Sequence, residues 1–402
     1  MTQTQFSASS SAPQRLSGGS GLKPAVRAKS LALLLTAIML LLGSTVVAQE
    51  TLVDQPLFLT FVPNVQFAPV YAALENGHFA DAGMNIMMEH GDENVGVDLI
   101  AAGERQFGLI SGEEVIKARA NGRPVVYVYE WFQQYPVGIV VPADSPIESV
   151  ADLRGHKVGI PGRFGASFNG LVALLAANDL TESDIQLEAI GFTAPEAVCV
   201  GYESDYAQGV EAAVVYLNNE PTQIETRCTP VRVFPVTAAV DMVSNGLVTN
   251  EMTIADNPAL VTAMVTAFDA GLRDVIRNPA QAYLWSAAYV DNLPLDDAFR
   301  AALENEAAAQ ADFLATNPEH SVVIESRAAL LERLTAQFDA ETLLQFRVLL
   351  NTIALWDADR LGYSDLASWQ VTQDTLMTMG FLTAGIDLEA AFTNDFLPDT
   401  GE

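Results

Sequence analysis

Basic residues are scarce in this chain. It has 20 Lys and Arg against 50 Asp and Glu in 402 residues, a formal charge of −30. Four of those cations, Arg15, Lys23, Arg27 and Lys29, stand in an N-terminal stretch (1–48) that contains no acid. Without that stretch the charge falls from −30 to −34. This balance excludes a nucleic-acid binder working by phosphate neutralisation, which needs a basic face. It also argues against docking on anionic lipid headgroups. The four histidines, His78, His90, His156 and His320, are scattered without metal-ligand spacing. Cysteine is limited to Cys199 and Cys228, neither in a CxxC motif, which argues against thiol chemistry. In an exported chain that pair is either a disulfide, stabilising the fold by about 3–4 kcal/mol, or two separate buried thiols. There is no GxSxG elbow, no P-loop lysine and no repeat at a solenoid period.

Hydrophobic residues make up 50% of the chain, enough for two lobes with cores of their own. Residues 1–30 are rich in Ser, Gln and Gly and become basic near their end. The run LALLLTAIMLLL follows at 31–42, then GSTVVA, with Val46 and Ala48 at the small-residue positions a signal peptidase reads. The expectation is a signal peptide over 1–48, cleaved near Ala48. The competing reading is a retained membrane anchor. No Cys follows the run, which argues against a lipid anchor.

Beyond Gln49 short apolar runs alternate with helical stretches. Strands are predicted at 57–62, 85–89, 107–110, 125–129, 138–141, 157–160, 185–190, 213–216 and 231–234, with helices at 68–76, 97–102, 113–120 and 167–177. That alternation predicts an α/β chain built on parallel sheets. From Pro258 onward the pattern is almost wholly helical. No Pro/Gly/Ser linker sets this part off, so it is expected to pack around the first lobe. The predicted division is 49–138 with 237–402 for lobe one and 139–236 for lobe two.

The stretch PNVQFAPVYAA at 63–73, followed by Glu75-Asn76-Gly77-His78-Phe79, resembles the opening of the NMT1/THI5-like family of substrate-binding proteins. FGLISG at 107–112, VADLRGHKVG at 150–159 and AFTN at 391–394 match the family in the same order. PGRFGAS at 161–167 and YLNNEP at 216–221 are most similar to its riboflavin-binding subset. The resemblance implies a type 2 periplasmic-binding-protein fold, two α/β lobes joined by two crossings, with the extra C-terminal helices packed on lobe one. It implies a monomer exported to the periplasm or cell surface, a small-molecule ligand held between the lobes, and delivery to an ABC permease coupled to an ATPase. It implies no cofactor, the vitamin being cargo.

In open α/β sheets ligands bind beyond the carboxyl ends of the strands. The residues there are Asn64, Gln66, Phe67 and Tyr71 after the first strand, Ser111 and Glu113 after the third, and Trp131 and Gln133 after the fourth. In the second lobe they are Arg163, Phe164 and Ser167, then Tyr216, Asn218, Asn219 and Glu220. Aromatic rings mixed with amides suit a flat heteroaromatic ligand, and Trp131 is the expected stacking platform. Each has a plainer role: Tyr71 and Trp131 as core packing, and 218–221 as an ordinary turn. Arg163 could hold a carboxylate, a phosphate or Glu220. An enzyme is the competing class, because some family relatives are pyrimidine synthases. They carry a Cys-rich motif that is lacking here, and a histidine where this chain has Phe67. A thiamine pyrimidine precursor, and then nitrate or a sulfonate, are the alternative ligands.

Overall fold

The computed structural model describes residues 52–399; the leader at 1–48 lies outside the described residues. Strands β1 (Val53–Thr60), β2 (Met84–Gly91), β3 (Phe107–Ser111), β4 (Val125–Glu130) and β10 (Asn245–Asn250) form one sheet, ordered β2-β1-β3-β10-β4. Strands β5 (Val137–Pro142), β6 (Lys157–Ile160), β7 (Gln186–Ala189), β8 (Ala212–Tyr216) and β9 (Val231–Pro235) form the other, ordered β7-β6-β8-β5-β9. The chain passes between the sheets twice, after β4 and after β9.

The expectation of parallel sheets needs correction. β1 runs parallel to β2 and β3, and β6 to β7 and β8. However, β10 is antiparallel to β3 and β4, and β5 is antiparallel to β8 and β9. Each antiparallel strand directly follows a crossing, so the chain enters each new sheet against the direction of its neighbours.

Fourteen α-helices are present among the described residues. Those of the first βα series are α1 (Ala68–Glu75), α2 (His78–Asp81), α3 (Glu93–Ala101) and α4 (Gly112–Ala120). The second series has α5 (Gly165–Ala176), α6 (Ala194–Glu203) and α7 (Glu220–Arg227). After β10 come α8 (Glu251–Asp256), α9 (Pro258–Arg277), α10 (Pro279–Ser286), α11 (Asp297–Leu314), α12 (His320–Thr335), α13 (Leu344–Trp356) and α14 (Leu366–Thr378). Both faces of the first sheet are covered, which is why β1, β3 and β4 read as largely apolar runs. One face packs under α1, α9, α10 and α13, with Phe268, Tyr283, Phe299 and Trp356 at its centre. The other packs under α3, α4 and α14, with Trp369, Leu376 and Ala391.

The exposed edge of β4 is closed by the C-terminal tail, since Tyr127 N–H donates to Ala391 O at 2.9 Å and Glu130 N–H to Gly362 O at 2.9 Å. The late helices pack on the first lobe, but two of them also reach the second. α13 meets α7, where Asn351 Nδ2 donates to Thr222 Oγ1 at 3.1 Å, and α14 meets α5. Within the second lobe a disulfide joins Cys199 in α6 to Cys228 at the end of α7, with their Cα atoms 5.8 Å apart.

Candidate ligand cleft

The carboxyl ends of β1, β2 and β4 in one lobe face those of β6, β7 and β8 in the other, and a cavity of about 90 Å³ lies between them. The first lobe contributes Thr60 and Phe61 after β1, Gln66 and Phe67 from the turn before α1, and Gly91, Asp92 and Glu93 after β2. It also supplies Trp131, Phe132 and Asn245 from the two crossings. The second lobe contributes Pro161 and residues 164–167 after β6, Phe192 after β7, and Tyr216 and Glu220 after β8. Seven of these side chains are aromatic. Phe61 meets Phe192 edge-on across the mouth, their centroids 4.7 Å apart. Phe61 holds a positive φ of 87°, unusual for a bulky residue.

Direct hydrogen bonds tie the lobes beside the cavity, two of them from wall residues. Tyr216 Oη donates to Asn245 Oδ1 at 2.9 Å, and Asn218 Nδ2 donates to Gln66 Oε1 at 3.0 Å. Carboxyl groups form the third element of the site. Glu220 accepts from Tyr216 N–H at 2.9 Å, and burial pushes its carboxyl up to about 7. Glu93 is buried and accepts from Ser111 N–H at 2.6 Å. Its other oxygen abuts Gly165, where a Cβ would collide with it. Loss of hydration and the neighbouring Glu114 raise its pKa, making it a weaker acid, while hydrogen bonding from backbone N–H pulls it back. Glu113 is fully buried and accepts from Tyr135 Oη at 2.7 Å, and burial pushes it up to about 8.

Of the residues expected from sequence, Gln66, Phe67, Trp131, Phe164, Ser167, Tyr216 and Glu220 meet in the cavity wall. The other eight do not line it. Asn64 caps the turn before α1, its side chain accepting from Gln66 N–H at 3.0 Å. Tyr71 lies in the first-lobe core, stacked on Tyr289 at 4.6 Å. Ser111 and Glu113 sit one layer behind the wall. Gln133 bends back so that its Nε2 donates to Glu130 O at 2.8 Å. Arg163 points outward, 57% exposed, to pair with Glu182 at 3.0 Å. Asn218 is held by Gln66 and Thr352, and Asn219 by Glu220 and Gln223.

Trp131 needs its own correction. It is only 3% exposed, with Phe67 and Trp356 lying near-parallel to it at 5.9 and 5.5 Å and with Phe132 and Phe268 edge-on. These neighbours take up most of its ring, so only a small part of it reaches the cavity wall. What remains free is its buried Nε1–H, which has no hydrogen-bond partner.

A family model described as NMT1/THI5 like matches residues 64–282, more than half of the chain. The chain belongs to that family. This NMT1/THI5-like chain is 31% identical over 354 residues to the riboflavin-binding protein RibY of Chloroflexus aurantiacus, covering 87% of this chain and 88% of that protein. It is 26% identical to the formylaminopyrimidine-binding protein of Halalkalibacterium halodurans (62% and 75% covered). It is 22% identical to a 4-amino-5-hydroxymethyl-2-methylpyrimidine phosphate synthase of Legionella pneumophila (56% and 71%). Among solved structures, it superimposes on the alkanesulfonate-binding protein SsuA of Xanthomonas axonopodis pv. citri with a TM-score of 0.55 at 12% identity, covering 85% of this chain and 98% of that one. The architecture is thus the two-lobe periplasmic-binding-protein fold, carrying additional C-terminal helices.

Chemically, the cavity of this NMT1/THI5-like chain offers ring contacts, amides, a hydroxyl and carboxyls. Among the described residues no Lys, Arg or His lines it. No group of three or more His, Cys, Asp or Glu among them is placed to hold a metal ion.

Proposed function

We propose that this chain is the exported solute-binding component of an ABC importer and that it captures riboflavin. The observation that carries this reading is the cavity wall, where seven aromatic side chains stand with Gln66 and Asn245 and no cation among them. Rings supply contact area for a flat heteroaromatic solute, while amides pair with its carbonyls and ring nitrogens. A sulfonate or nitrate would instead meet Asp92, Glu93 and Glu220 with no compensating positive charge. The 31% identity to RibY across most of both chains supports the same ligand. Capture works by hinge closure. Ligand contacts from both lobes add to the Tyr216–Asn245 and Asn218–Gln66 bonds and stabilise the closed form. A permease, driven by its ATPase, then recognises that form. The chain acts as a monomer outside the membrane, its leader removed.

One observation favours a second reading. The cavity of about 90 Å³ is below the roughly 300–1,000 Å³ usual for a drug-sized ligand, so a single-ring pyrimidine fits it with less opening. A synthase activity is less well supported, because Phe67 in the wall offers no titratable group. The test is titration of the purified mature chain with riboflavin, following flavin absorbance and tryptophan quenching, beside 4-amino-5-hydroxymethyl-2-methylpyrimidine. Saturable binding of riboflavin alone supports the first reading, and binding of the pyrimidine alone replaces it.

A further inference from the structure

Resting on the vitamin-binding reading, we propose that the cleft selects by charge. It takes the unphosphorylated vitamin and rejects its phosphate monoester. Three features lead there. Asp92, Glu93 and Glu220 line the cavity, and no cationic side chain among the described residues does. Three basic groups on elements around the cavity are turned away or already paired. Arg163, on the loop that supplies Phe164, is engaged by Glu182 at the surface. Lys117, behind the wall, is held by Glu114 at 2.7 Å and by Asn169 at 3.3 Å. His90 packs edge-on against Phe67, bonds through Nδ1 to Phe61 O, and is kept neutral by burial.

The third feature concerns backbone. The N-terminus of α5 faces the cavity, and free N–H groups at a helix start are an ordinary seat for phosphate. Here that seat is filled from within the chain. Glu93 reaches across from the first lobe and lies against Gly165 and Ala166, the first two residues of α5. Gly165 has φ +63° and no Cβ, and both properties are needed for that approach. A phosphate entering the cleft would have to displace Glu93 or sit unpaired beside three carboxyls. In either case it would be bringing negative charge toward a mature chain of net −34. A phosphorylated vitamin outside the cell would therefore need prior hydrolysis. In that step water cleaves the phosphorus–oxygen bond, leaving the free hydroxyl and inorganic phosphate.

The test is calorimetric titration of the mature chain at pH 7.5 and low salt with riboflavin and with riboflavin 5′-phosphate. The same comparison is made with the hydroxymethylpyrimidine and its monophosphate. The expected result is binding of the unphosphorylated member of a pair and affinity for its phosphate weaker by about 100-fold or more. Asp92→Asn, at the rim, should narrow that gap, as should higher salt. Equal affinity for riboflavin and its phosphate would overturn charge selection and leave the riboflavin reading standing. If neither flavin binds but the pyrimidine pair does, the riboflavin reading fails and the pyrimidine pair decides the charge question. Failure of all four ligands overturns both.

Discussion

Replacing Trp131 separates a ligand platform from a structural ring. Its indole is 3% exposed and surrounded by Phe67, Phe132, Phe268 and Trp356, with centroids 4.7 to 6.1 Å away. Truncation to Ala removes a large buried ring and leaves a void that these neighbours fill only in part, at a cost of about 3–5 kcal/mol. Unfolding entropy is about 2.1 cal/mol/K per residue, so for a unit of roughly 350 residues the melting temperature should fall by about 4–7 °C. Trp131→Phe keeps a ring in place but is three ring atoms smaller, Nε1 among those lost, so the melting temperature should fall by less than for Ala. The assay is a calorimetric melt of ligand-free protein, run beside a riboflavin titration of each variant. A platform residue would behave oppositely, leaving the ligand-free melt unchanged while affinity collapses. That result would refute the packing argument.

Removing the bridge by Cys199→Ala with Cys228→Ala should cost about 3–4 kcal/mol, or about 5 °C in melting temperature. Neither cysteine lines the cavity, so the riboflavin dissociation constant should stay unchanged by calorimetry. Phe61→Ala removes one of the two rings meeting across the mouth and should raise the association rate in stopped-flow fluorescence. An unchanged rate would show that entry is not limited at Phe61 and Phe192.

Much of the framework was legible because buried strands are short apolar runs bounded by turn residues. Segments such as 157–160 and 107–110 need nothing else to be located. β10 escaped notice because Asn245–Asn250 begins and ends in Asn and contains a Gly, and its burial comes from lying mid-sheet between β3 and β4. Strand direction is set by which crossing delivers the chain, and residue pattern carries no mark of that. For the site, the loops were legible but the side-chain directions were not. Gln133 and Arg163 stand on cavity-forming loops yet turn to nearer partners, Glu130 and Glu182. Asn64 did carry a signal, since an Asn before a helical turn is a common cap. Phe61, Phe192 and Asn245 had no sequence mark, because they join the site through contacts across the two lobes. Glu93, an acid at a helix start, looks like a solvated partner of the helix dipole, and only the apposition of α5 buries it.

The apposition of α5 couples opening to pH, and the sign follows from which protons are held in the closed form. Three first-lobe acids meet this region. Glu93 lies against Gly165 and Ala166, Glu113 accepts from Tyr135, and Glu114 accepts from Asn169 at 3.0 Å, with Lys117 and Tyr216 as the other ionisable neighbours. Burial raises Glu113 from 4.5 to about 8 and raises Glu93 as well. Parting the lobes rehydrates both, so the open form holds fewer protons between those limits. Closure, and with it folding stability, is therefore favoured at acidic pH and weakens as pH rises from about 4.5 through about 8. Riboflavin should leave faster at pH 8 than at pH 6 in stopped-flow dissociation. Glu113→Gln keeps an acceptor for Tyr135 without a charge and should flatten part of that dependence, as well as part of the fall in melting temperature over the same range. Dissociation that slows with rising pH, or a Glu113→Gln profile parallel to that of the parent chain, would show that these carboxyls do not hold the lobes together.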